Sequence, residues 1–257
     1  INKFGFLQGR IFPRNLKKYN LFPNDWESEF KEAAKLNINY IEFLYDKDRK
    51  IERVFNDKKL SKKLKENNLI QLSVNYDILR FIDFFENKED VIKDIKKLSK
   101  KGSKIIVLPF IDKSSYNHEK LSRSLNYLET KINTGIKFAI ESENISFIKL
   151  KNIISKLPKN FGICYDTGNY ISQKRNIFSD FTNYSDFIIH IHLKGKKFNY
   201  KTNKYVNCFF TECKQDLLKF LYLIKKNDYK EMVVMESFYQ KNGLLDFKTN
   251  LKSIKQI

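Results

Sequence analysis

Eight short apolar runs recur along this chain at a spacing that leaves it few possible folds. They are Phe4–Leu7, Tyr40–Leu44, Ile70–Val74, Lys104–Leu108, Lys137–Ile140, Phe161–Tyr165, Phe187–Ile191 and Met232–Met235, and their starts lie about 24 to 45 residues apart. Runs this short, rich in β-branched and aromatic residues, read as buried strands. A helical pattern fills most of the gaps, which is the rhythm of βα units with parallel strands. Eight such units in 257 residues match the size and count of a (β/α)8 TIM barrel, a single domain over residues 1–257. A doubly wound open sheet is the runner-up, but the turn after the first run has no GxGxxG phosphate loop.

The gaps carry their own signals. Asn24-Asp-Trp-Glu27 reads as a capping box opening a helix whose apolar positions Trp26, Phe30, Ala33 and Ala34 share one face. Leu60, Leu64 and Leu69 mark a second helix, and Val91, Ile92, Ile95 and Leu98 a third. Further helices are expected over Glu119–Ile132, Ile145–Leu157, Asp216–Ile224 and Leu244–Ile254. The segment Tyr170–Tyr184 has little periodicity and is expected to hold one short helix. With four prolines in all, no proline-rich linker divides the chain.

A formal charge of +19 invites a nucleic-acid reading. A nucleic-acid binder concentrates Arg and Lys on one element, with aromatics for stacking. Here the charge is overwhelmingly Lys and is spread through nearly every expected helix, which fits solvated helix surface. The excess charge still favours encounter with an anionic substrate. No apolar run approaches the roughly 18 residues of a membrane span, and no charged-then-apolar leader opens the chain. Cys164, Cys208 and Cys213 are odd in number and form no CxxC pair, so reduced thiols and a cytoplasmic location are expected.

In a barrel of this kind chemistry sits at the C-terminal ends of the strands. The fifth run leads into Glu141 and the sixth into Asp166. The seventh carries His190 and His192, and the eighth leads into Glu236. Residues i and i+2 of a strand face the same way, so the two histidines share a face. Four consecutive strands thus finish with Glu, Asp, His and Glu. Clustered carboxylates repel unless a cation or proton intervenes. Carboxylate oxygens with one imidazole suit Mn²⁺, Co²⁺, Zn²⁺ or Mg²⁺.

The order of these pieces resembles one family. Gly5-Phe-Leu-Gln8-Gly9-Arg10-Ile11, Phe22-Pro-Asn-Asp-Trp26, Tyr40-Ile-Glu42, Ile140-Glu141, Asp166-Thr-Gly-Asn169, His190-Ile-His192-Leu-Lys194 and Val234-Met-Glu236 are similar to the xylose isomerase-like TIM barrels. That group contains sugar and sugar-phosphate isomerases and epimerases, hydroxypyruvate isomerase, inosose dehydratase and endonuclease IV. The resemblance spans the whole length and is strongest to bacterial sugar phosphate isomerase/epimerase members. It implies one divalent metal ion held by Glu141, Asp166, His192 and Glu236. Two positions depart from the ketose 3-epimerases: Asn169 stands where those enzymes usually have histidine, and Gly195 follows Lys194 where an aspartate is common. Both departures bear on the substrate and leave the ligand set unchanged.

The chemistry so implied is proton abstraction next to a carbonyl, with Glu141 and Glu236 as the proton-transfer pair. Gln8, Arg10, Glu42, Asn75, Asn169, His190 and Lys194 are the expected substrate contacts, with Asp77 and Lys196 as weaker candidates. His190 is also open to a role in orienting a neighbour. His118 is expected in a polar loop, away from the site. The substrate expected is a small sugar or sugar phosphate, with no specific nucleic acid and no membrane partner, and a homodimer is compatible. A dehydrating lyase of the inosose type is the alternative on the same site. An endonuclease IV-like nuclease is a weaker one, because three histidines are too few for a three-metal cluster.

Overall fold

The computed structural model describes residues 3–13, 22–110, 118–132, 135–143, 145–213, 215–236 and 242–255. Eight parallel strands close into a barrel: β1 (Phe4–Leu7), β2 (Tyr40–Leu44), β3 (Ile70–Asn75), β4 (Ile105–Pro109), β5 (Lys137–Glu141), β6 (Phe161–Asp166), β7 (Ile188–Leu193) and β10 (Met232–Met235). Around the ring each strand pairs with its neighbours in sequence order, and β10 closes on β1 through Phe4–Val233 to Phe6–Met235. The remaining strands, β8 (Lys196–Asn199) and β9 (Lys204–Asn207), form an antiparallel hairpin outside the barrel.

Side-chain alternation sorts each strand into two sets. Phe6, Phe43, Val74, Ile106, Phe138, Ile140, Ile163, Tyr165, Val233 and Met235 join one large cluster with the helices. Leu7, Leu44, Ile105, Val107, Ala139, Cys164, Met232 and Val234 form a second, smaller cluster. By the same alternation Glu42, Ser73, Asn75, Glu141, Asp166, His190 and His192 belong with that inner set, so the barrel interior turns polar toward its C-terminal mouth. The packing stabilises the wall, and the polar inner residues ride on it.

Ten helices are described: α1 (Trp26–Lys35), α2 (Ile51–Asn56), α3 (Leu60–Glu66), α4 (Lys88–Lys100), α5 (His118–Lys131), α6 (Phe147–Ile154), α7 (Thr167–Ser172), α8 (Ile177–Tyr184), α9 (Leu217–Lys226) and α10 (Gly243–Ile254). Five details differ from the sequence reading. The cap of α1 is Asp25, one residue later than the capping box suggested, and its carboxylate accepts the Ser28 N–H at 2.9 Å. Ahead of α3 stands the unforeseen α2, a six-residue helix whose Ile51, Val54 and Phe55 are buried. The weakly periodic stretch after β6 holds two short helices, capped by Asp166 and Asn176. The β8–β9 hairpin was hidden because Lys196-Lys-Phe-Asn199 has no clear apolar alternation. His118 starts α5, exposed, where a loop was expected.

Candidate active site

Each ligand-type residue sits where its strand ends. Glu141 is the last residue of β5 and Asp166 the last of β6, His192 is the penultimate residue of β7, and Glu236 follows β10 directly. Asp166 pairs across with His192, which pairs with Val234 on the far side, so Glu236 projects from the next inward position. All four are at most 2% exposed. Ligand atoms of Glu141, Asp166 and His192 lie within 4.8 Å of one another.

The contacts inside this ring are unusual. His192 Nδ1 lies 3.2 Å from Glu236 Oε2 and 3.7 Å from Glu141 Oε2. Yet Nδ1 and Glu141 Oε2 are both buried without a hydrogen-bond partner. A buried polar atom left unsatisfied costs about 1–3 kcal/mol, more if charged, so two facing each other need a reason. Donors around a small divalent ion bonded at about 2.0–2.2 Å stand a little over 3 Å apart, which matches this spacing. The cluster of Glu141, Asp166 and His192, with Glu236 beside it, therefore fits a divalent cation.

Fixed cations border the same ring. Arg10 Nη2 donates to Glu236 Oε1 at 2.9 Å. Lys194 is ion-paired with Asp166 and reaches Glu236 Oε2 at 3.2 Å. Its stem passes Gly168, where any Cβ would meet Lys194 Cγ at 2.8 Å, so a side chain there would displace the lysine. Asn169 Nδ2 donates to Glu141 Oε1 at 2.9 Å, while the Asn169 N–H caps onto Asp166 Oδ1 at 3.0 Å. Gln8 and Asn75 are buried, and Gln8 Nε2 and Asn75 Oδ1 have no partner, which keeps both available to a hydroxyl. Lys196 is half-buried on the hairpin close to Lys194, whose charge adds to burial in lowering its pKa.

Glu42 and His190, expected among the substrate contacts, sit instead beneath the mouth. Both are fully buried. Glu42 Oε2 lies 2.7 Å from His190 Nε2 and accepts the Ser73 hydroxyl at 2.6 Å, and its Oε1 lies 2.8 Å from His192 Nε2. Glu42 thus hydrogen-bonds Ser73 and His192 beneath the mouth. Cys164 is one inward position below Asp166, and burial pushes its thiol up to about 12, so it is uncharged.

Sequence reasoning passed over two residues here. Arg80, on the short turn of helix after β3, pairs with the fully buried Asp77 and lies 3.9 Å from Glu141 Oε1. The signal available was rarity: only seven of the 49 basic residues are Arg. Glu29 of α1 is fully buried and accepts the N–H groups of Gly9 (2.9 Å), Ile11 (3.0 Å) and Phe12 (3.3 Å). It thereby fastens the turn that carries Arg10. It was hidden because a glutamate in the first turn of a helix ordinarily reads as solvated surface.

The two mouth glutamates are driven apart in acidity. Burial, with the charge of Asp166 added, raises Glu141 to about 8. Burial pushes Glu236 the same way, but Lys194, His192 and Arg10 outweigh it and hold it well below the usual carboxylate range. Asp77 is raised by burial despite Arg80. Pairs of titratable groups split in this manner are a mark of acid–base sites.

With this barrel and mouth in view, comparison with known proteins is informative. The model of the xylose isomerase-like TIM barrel matches residues 30–257. The chain belongs to the xylose isomerase-like TIM barrel family. Among solved members of similar fold, the 3-keto-D-glucoside 4-epimerase YcjR from E. coli aligns at TM-score 0.73 and 16% identity over 100% of both chains. The IolI protein with a bound zinc atom aligns at TM-score 0.72 and 16% identity over 99% of this chain and 97% of that one. The probable 3-DHS dehydratase AsbF from Bacillus anthracis aligns at TM-score 0.69 and 13% identity over 98% of each. At these identities the likeness is one of fold. No curated protein sequence matches this chain. None of the described helices is long and apolar enough to cross a membrane.

Proposed function

We propose that this family member is a divalent-metal-dependent isomerase or epimerase acting on a sugar or sugar phosphate by proton transfer next to a carbonyl. The observation that carries the reading is the convergence of ligand atoms of Glu141, Asp166 and His192 within 4.8 Å at three strand ends, with Glu141 Oε2 and His192 Nδ1 lacking hydrogen bonds. The zinc in IolI and the epimerase activity named for YcjR support it by likeness of fold. When bound, a divalent ion supplies Lewis-acid stabilisation of negative charge on adjacent substrate oxygens.

The chain's own residues supply the proton steps. At neutral pH Glu236 is ionised and can take the proton from the carbon beside the carbonyl. Glu141 is ionised when it ligates, so the proton it returns is one taken up from solvent at the mouth, an uptake that burial and the charge of Asp166 favour. Return to the same carbon from the other face inverts it, giving epimerisation, and return to the neighbouring carbon gives aldose–ketose isomerisation. A substrate oxygen that engages Arg10 or Lys194 draws those cations from Glu236 and raises its basicity in the bound state. Gln8, Asn75 and Asn169 are placed to hold hydroxyls around the reacting carbons. Loss of a β-hydroxyl from the enediolate that this proton abstraction leaves would instead make the enzyme a dehydratase, the second reading, favoured by the likeness to AsbF.

Proton NMR in D₂O with Mn²⁺ present, over a panel of free and phosphorylated ketoses and cyclic keto compounds, tests this reading. Deuterium entering one substrate at the carbon next to its carbonyl is the expected result. A panel without exchange, by protein shown to carry its metal, would count against it.

A further inference from the structure

We infer that Glu42 is a positioning residue: it takes an N–H from His192 Nε2 and so keeps the Nδ1 lone pair turned into the ring formed by Glu141, Asp166 and Glu236. The inference rests on the proposed metal site and concerns what lies beneath it. A neutral imidazole carries one N–H, and which nitrogen bears it is set by the hydrogen bond the other ring position makes. His192 is fully buried, so water cannot decide the matter. On the mouth side its Nδ1 faces carboxylate oxygens at 3.2 and 3.7 Å and makes no hydrogen bond. On the deep side its Nε2 meets Glu42 Oε1 at 2.8 Å, the length of a charge-assisted N–H to oxygen bond.

Glu42 is itself fixed from a second direction, where the Ser73 hydroxyl donates to Oε2 at 2.6 Å. His190 Nε2 lies 2.7 Å from the same oxygen without forming a hydrogen bond. Ser73 on β3 and His192 on β7 thus hold one carboxylate in the second inward layer, which His190 also faces. Cys164 completes this layer, and its sulfur with the two histidines makes a second cluster of ligand type. A second metal ion there is the competing explanation. Against it stands the 2.8 Å hydrogen bond between His192 Nε2 and Glu42 Oε1, which leaves that nitrogen no lone pair for a second ion.

Carboxylates that orient a ligating histidine typically contribute 10–100-fold to metal affinity. The test compares wild type, Glu42→Gln, Glu42→Ala and Ser73→Ala in two measurements. The first is ¹⁵N NMR of the histidine-labelled, metal-free protein, taken at a pH high enough to remove the second proton that Glu42 and Glu236 favour on His192, where the spectrum reports its tautomer. Wild type is expected to show His192 protonated at Nε2, and Glu42→Ala to lose that preference. The second is titration with Mn²⁺ and Zn²⁺, in which Glu42→Ala should bind about 10–100-fold more weakly than wild type. Ser73→Ala, which keeps the carboxylate, should lose much less. Glu42→Gln presents one carbonyl and one amide to two imidazoles and should fall between, and it serves if the alanine variant does not fold.

The outcomes separate the two claims. Wild type that takes up no metal yet shows the Nε2–H tautomer, lost in the variant, would remove the proposed function and keep the role of Glu42 toward His192. Wild type that binds metal while Glu42→Ala binds equally well, with the His192 tautomer unchanged, would overturn the inference alone. Two equivalents of metal in wild type, falling to one in Cys164→Ala, would also overturn it in favour of the deep metal site.

Discussion

At the scale of single residues, the site is a problem in placing charge. Glu141 and Glu236 have the same side chain and lie on the same imidazole, yet their surroundings give one a proton and leave the other ionised. Glutamine keeps the shape of either and removes the titratable oxygen, so Glu141→Gln and Glu236→Gln should each lose at least about 10²-fold in turnover, the low end for general acid–base catalysis. They should differ in exchange: Glu141→Gln can still remove the substrate proton and wash deuterium in, while Glu236→Gln does neither, a contrast that NMR in D₂O reads directly. Near-normal turnover in both, with metal bound, would place the proton transfers on other groups. Acidity also governs metal uptake. Glu141 must give up a proton held to about 8 before it can ligate, so apparent affinity should weaken by up to about tenfold per unit as the pH falls from 8 toward 6. A titration series that is flat across this window would contradict that account.

At the scale of elements, α1 does more than cover the barrel. Its Glu29 holds the Gly9–Phe12 turn through backbone N–H groups and so sets where Arg10 meets Glu236. Burial raises this carboxyl from 4.5 to about 7 in the folded protein. The folded state therefore keeps a proton that the unfolded chain releases between those values, and stability falls as the pH rises through that window. The full effect is about 3 kcal/mol by the unit-shift conversion. Urea unfolding at pH 5 and pH 8 should show the loss in wild type and a smaller one in Glu29→Gln, which cannot titrate; equal losses would mean the carboxyl is ionised throughout. The strands and most helices were legible because periodicity is a local property. Asp166, His192 and Glu141 were legible because they end strands. Glu29, Arg80 and the deep position of Glu42 were not, since each is defined by a partner 17 to 150 residues away. The β8–β9 hairpin was missed for another reason: its alternation is written in Lys, Phe, Tyr and Asn rather than in apolar residues.

At the scale of the whole molecule, the +19 charge and the acidic mouth belong to different surfaces. The lysines lie along helices, as Lys93, Lys96, Lys97, Lys100 and Lys101 do on and just after α4, while the mouth acids are buried with their own cations. DNA binding should therefore be weak and fall steeply between about 50 and 200 mM salt, without incision at abasic sites. Efficient cleavage at physiological salt, read on a labelled abasic duplex, would assign the chain to the nuclease branch of its family. The central claim is that four strand ends hold one divalent ion, and elemental analysis after saturation with Mn²⁺, Co²⁺ or Zn²⁺ and removal of excess tests it most directly. One equivalent per chain in wild type, and close to none in His192→Ala, is the result expected. Wild type that retains no metal, or a His192→Ala variant that retains a full equivalent, would contradict it.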